Sequence, residues 1–173
     1  MPQTIVRIKS FERGFTLIEL IMVIVMLGVL AVFAAPRILN TGDFYARGFH
    51  DETLGYLRYA QKTAIAQRRT VCVAFGSGAT GSVTLTIASA AATFTCASAG
   101  TMAGPKGESP AVLNARSGVQ YVTGTAPINF YFDGLGQPIT TAGAGAAQAK
   151  QTFQVTGAAN FITVEAATGY VHD

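Results

Sequence analysis

Hydrophobic residues follow three rhythms along this chain, and each predicts a different element. From Phe15 to Ala35 they are nearly unbroken, with Glu19 the only charge. Val, Ile, Leu, Met and Phe fall on every side of a helical turn, so this is not an amphipathic surface helix. Its 21 residues would rise roughly 31 Å as a helix, about one hydrocarbon core. Pro36 and Arg37 close the run. Asn40-Thr41-Gly42-Asp43 then predicts a break, with Asn and Gly suiting a C-terminal cap and Asp43 the N-cap of the next helix.

The second rhythm covers residues 44–69. Leu57, Ala60 and Ala64 recur at spacings of three and four, flanked by Leu54 and Ile65, which predicts a helix with one apolar stripe. Asp51 and Glu52 come early, and Lys62, Arg68 and Arg69 late, as the helix dipole favours. Gly48 and Gly55 weaken it enough to allow a kink. Tyr45, Tyr56 and Tyr59 on this helix read as packing residues rather than a base-stacking platform.

From Val71 the period drops to about two. Strands are predicted at Val71–Phe75, Ser82–Ala88, Ala92–Cys96, Val119–Val122, Ile128–Asp133, Gln151–Thr156, Phe161–Glu165 and Gly169–His172. Val83, Leu85 and Ile87 alternate with Thr84 and Thr86, the signature of a sheet buried on one face. Residues 97–118, punctuated by Gly and Pro, read as loop, and the low-complexity stretch 141–149 as a mobile loop. The sum is an α+β chain: a long N-terminal helix, then a second helix packed on an antiparallel sheet assembly. Residues 1–14 read as a leader, 15–40 as a transmembrane helix and 41–173 as one globular domain.

Charge matters chiefly before Gly14. Arg7, Lys9 and Arg13 oppose Glu12 there, which predicts a cytoplasmic leader and an outer-side globular domain. Of 12 basic and 9 acidic residues, nine and eight remain after Gly14, so the mature chain is nearly neutral. That balance gives little basis for nucleic-acid binding, since phosphate recognition needs clustered cations. Cys72 and Cys96 lie in what would be an oxidising compartment, which favours a disulfide over two buried thiols.

Glu19 is the residue that needs a reason. A carboxylate near the bilayer centre costs on the order of 2.5–3.5 kcal/mol. Cutting after Gly14 would make Phe15 the N-terminus and put a free ammonium group one helical turn from Glu19. That ammonium, its own or a neighbour's, pairs with the carboxylate, and the helix N-terminus favours the same charge. A secretory signal peptide cut among Ala31, Ala34 and Ala35, or a plain single-span anchor, would also use an apolar run. Neither explains Gly14 followed by Phe15 and Glu19.

Gly14-Phe15-Thr16-Leu17-Ile18-Glu19 resembles the cleavage and methylation motif of type IV prepilins and type II secretion pseudopilins. The resemblance is strong over residues 7–40. It implies that a prepilin peptidase cuts at Gly14-Phe15 and N-methylates Phe15, and that Glu19 pairs with a neighbouring subunit's amine during assembly. Pro36 stands where many pilins carry a helix-bending proline. Partners would be other pilin or pseudopilin subunits, the peptidase and an inner-membrane assembly platform. Leu57-Arg58-Tyr59-Ala60-Gln61, Phe132-Asp133-Gly134-Leu135-Gly136 and Thr168-Gly169-Tyr170-Val171 look like H-type pseudopilins and FimT-like minor pilins, including those of mannose-sensitive haemagglutinin pili. Such subunits prime or cap filaments.

No residue set calls for catalysis, a cofactor or a metal. Gly-x-Ser-x-Gly is absent, and Gly143-Ala144-Gly145 lacks the ending of a phosphate loop. Asp133 before Gly134 reads as a turn former, with calcium ligation the alternative. Arg68-Arg69 is the only pair suited to a DNA phosphate, and little basic charge follows it. The reading is a non-enzymatic filament subunit, with a membrane-anchored binding module such as a DNA-uptake pilin as the competing class.

Overall fold

A computed structural model of the chain describes residues 14–39, 41–91, 93–96, 99–141 and 145–173. The chain divides at Asn40 into two units. In the first, helix α1 spans Leu17–Leu39 and runs through Pro36. Every large hydrophobic side chain from Phe15 to Phe33 is exposed, between 42% and 83%.

The second unit, Thr41–Asp173, is built on helix α2, Thr41–Gln67. The sequence predicts this helix over 44–69. Asp43 does not cap it but lies in its first turn, still at the end that favours negative charge. The stop comes two residues early because Arg68 turns left-handed, with φ 49°. The Arg68 N–H then donates to Ile65 O (3.3 Å) and the Arg69 N–H to Ala64 O (3.2 Å), the paired bonds of a Schellman cap. Such caps usually carry Gly, so an Arg there gives no stop signal in the sequence.

Strands β1 (Val71–Gly76), β2 (Ser82–Ile87), β3 (Gly100–Thr101), β4 (Val112–Asn114), β5 (Phe130–Phe132) and β6 (Pro138–Thr140) form one antiparallel sheet. Its order is β3-β2-β1-β5-β6, with β4 also on β2. A second antiparallel sheet joins β7 (Gln151–Gln154), β8 (Phe161–Val164) and β9 (Val171–His172). α2 packs against strands of both. Leu57, Ala60 and Ala64 are fully buried, facing a core of Val71, Val83, Leu85, Phe130, Phe132, Phe153 and Ile162. Ile65, placed beside that stripe by the sequence, is instead 48% exposed.

Several predicted strands change. Residues 93–96 carry no ladder, and Ala92 lies outside the described residues. Thr70 Oγ1 donates to Thr93 O and Thr93 Oγ1 to Ala90 O, so side-chain bonds replace strand pairing. Residues 119–122 supply only a bridge from Tyr121 to Val155. Conversely, β3 and β4 arise inside the predicted loop 97–118, and β6 opens on Pro138. Two or three residues show no period, and Pro argues against a strand except at an edge, where β6 sits. Of the predicted mobile loop 141–149, residues 142–144 lie outside the description. The Thr140 N–H donates to Ala146 O, the Gln148 N–H to Pro138 O, and Ala147 bridges Ile139, so the segment folds back on β6.

Candidate functional site

The N-terminal segment is organised by Thr16. Its carbonyl accepts from the N–H of Glu19 (3.1 Å) and of Leu20 (3.2 Å), opening α1. Its Oγ1 also accepts from the Glu19 N–H at 3.3 Å. This is the Thr half of a capping box, Thr-x-x-Glu, with Glu19 at the third helical position. Gly14, Phe15 and Glu19 are all exposed, Phe15 at 83%. The scissile position is thus an open stretch before the helix, and the carboxylate stands in the first turn. Sequence reasoning passed over Thr16, although Thr-x-x-Glu before an apolar run signals it.

In the second unit, three separated motifs converge. From α2, the Gln61 amide donates to Gly136 O (3.1 Å), in the turn after β5, and to Thr168 O (2.8 Å), in the turn before β9. One helical turn earlier, the Arg58 guanidinium donates to Val171 O (3.0 Å). Gly169 has φ +65°, and a Cβ there would collide with the Gly136 carbonyl. Asp133 stiffens the neighbouring turn: its Oδ1 accepts from the Leu135 N–H (2.9 Å) and the Gln137 N–H (2.8 Å). These segments, 57–61, 132–136 and 168–171, therefore form one junction tying the helix to both sheets.

A polar strap crosses the other side of α2. Glu108, in the loop between β3 and β4, accepts from the Tyr56 hydroxyl and from the Lys106 N–H. Tyr59 donates to Ala103 O at 3.0 Å, and Lys106 pairs with Glu52. The Tyr56 hydrogen bond is the chief cause holding the Glu108 carboxyl below its usual range. Burial, then that bond, pushes the Tyr56 phenol up. Near the C-terminus, Lys150 (2.9 Å) and His172 (3.1 Å) both contact Glu165 and hold its carboxyl low. Nothing in the sequence marked Glu108, which stands in an irregular loop.

Cys72 and Cys96 have Cα atoms 6.3 Å apart and their sulfurs in contact, within the span of a disulfide. Arg69, one of two candidates for phosphate contact, donates from Nε to Ala88 O at 2.8 Å. Among the described residues no group of three or more His, Cys, Asp and Glu is placed to hold a metal.

Residues 9–35 match the family model of the prokaryotic N-terminal methylation motif, the type IV pilin-like prepilin signal. No curated protein and no solved structure matches the chain. The match covers Gly14, Phe15, Thr16 and Glu19, so the segment that Thr16 organises is the segment the family shares. Among the described residues, no helix is long and apolar enough to cross a membrane. Leu17 to Phe33, where α1 side chains are described, rises only about 25 Å. The match reaches beyond it, to Ala35.

Proposed function

We propose that this chain is a structural subunit of a type IV pilus or type II secretion pseudopilus. The observation that carries the proposal is the methylation motif over residues 9–35, with Gly14 and Phe15 exposed and Glu19 in the first turn of α1. The precursor sits in the inner membrane, residues 15–35 spanning it and the globular domain, 41–173, on the periplasmic side. Prepilin peptidase cuts at Gly14-Phe15 and methylates the Phe15 amine. The amine carries positive charge and meets Glu19 of an adjacent subunit, an ion pair strengthened by the low dielectric between apolar helices. This pairing fixes the axial offset of one subunit against the next. The exposed apolar surface of α1 passes from lipid contacts to helix contacts as the filament forms. Pro36 has no N–H for the carbonyl of Val32, and a bend there redirects the chain towards the domain.

Two further parts belong to the same proposal. Cys72 and Cys96 form a disulfide in the periplasm. The junction of Arg58, Gln61, Gly136 and Thr168 supports a place among H-type minor subunits, because it joins the three segments that resemble them. The assembly step is tested by Glu19→Ala in the host, with Gly14 cleavage followed by mass and incorporation by filament purification. Cleavage should proceed while incorporation falls. Normal incorporation of the variant would overturn the role of Glu19.

A further inference from the structure

Phe44 is an apolar side chain with no place in the core. It lies in the first turn of α2, 74% exposed, while Ala46 and Phe49 on the same helix are buried. Around it stand groups with a common character. Its ring meets Tyr45 edge-on at 6.0 Å. The Arg116 guanidinium lies 4.6 Å above the Tyr45 ring, and its own residue is exposed. Arg47, also exposed, is three residues along the helix and so neighbours Phe44. Phe44, Tyr45, Phe49, Glu52 and Arg116 line a hollow of about 330 Å³. Glu52 is already paired with Lys106, which leaves Asp43 to oppose the two arginines.

Aromatic rings and guanidinium groups arranged together are what a phospholipid headgroup layer accepts. The rings enter the boundary of the acyl chains, and the cations meet phosphate. The chain itself brings this face near such a layer. Phe44 is five residues beyond Leu39, the end of α1, so even an extended link holds it within about 18 Å of that end. We propose that the Phe44, Tyr45, Arg47 and Arg116 face rests on the phospholipid headgroups of the membrane that α1 spans, holding the domain against the bilayer before a subunit is extracted. This rests on the reading of α1 as a membrane span, and the test separates the two.

The chain contains no Trp, so a single introduced indole reports one position. Two variants of the full chain, Phe44→Trp and Val25→Trp, are placed in phosphatidylethanolamine and phosphatidylglycerol vesicles carrying brominated acyl chains. In Phe44→Trp, bromines close to the headgroup should quench the indole by about half, and bromines near the chain ends should quench it far less, as an interfacial ring requires. In Val25→Trp the indole lies inside α1 and should show the opposite preference. Adding Arg116→Gln to Phe44→Trp should weaken the quenching seen with Phe44→Trp alone. Quenching in Val25→Trp with none in Phe44→Trp would overturn this inference and leave the span standing. Quenching in neither variant would overturn both.

Discussion

Gly169 shows how much one position can constrain. Its φ of +65° disfavours an L side chain, and the Gly136 carbonyl fills the space a Cβ would need. Gly169→Ala should therefore destabilise the domain by about 2–4 kcal/mol, combining backbone strain with overpacking. Urea unfolding of residues 41–173 measures it. A change of only a few tenths would mean that the turn relaxes freely. Glu108 permits a second prediction. Its carboxyl is held below the unfolded value, so its contribution is complete above the ordinary Glu range of about 4.3 and is lost as pH falls through and below it. Glu108→Gln should flatten the loss of stability on acidification, read from melting temperature against pH. An unchanged acid slope would remove Glu108 from the strap. The sequence offers Gly169 through its turn motif. Glu108 leaves no trace there, because its partner Tyr56 lies 52 residues away and no local pattern records that meeting.

At the scale of elements, legibility depends on length and on which interaction fixes the segment. α2 is legible because 27 residues repeat one buried face. β2 is legible because Val83, Leu85 and Ile87 alternate with half-buried threonines. β3, with two residues, has no period to read. Thr93–Cys96 misleads because its Thr-Phe-Thr alternation looks like a strand, yet local hydroxyl bonds and Cys72 hold it. The proposed disulfide should then dominate the stability of this segment. It closes a sequence separation of 24 residues, worth about 3 kcal/mol by loop entropy. Cys72→Ser should lower the unfolding free energy by roughly that amount under oxidising conditions and leave the reduced protein little changed. An equal effect in both conditions would point to packing of the buried Cys72 side chain instead.

Across the whole molecule, function is legible where structure is simplest. The assembly segment needs only a small residue before the cut, a helix start and a carboxylate in the first turn, all local and contiguous in Gly14-Phe15-Thr16-Leu17-Ile18-Glu19. The globular unit is specified by long-range contacts, and its three H-like motifs gain a physical reason only through Gln61 and Arg58, which join them. The central claim is that Phe15 is the first residue of the working protein and that its amine is modified. Top-down mass spectrometry of the chain from its host's membranes tests this most directly. The account predicts a species beginning at Phe15 with one added methyl on the N-terminal nitrogen. A chain beginning near Pro36, after cleavage by signal peptidase, or one still carrying residues 1–14, would contradict it.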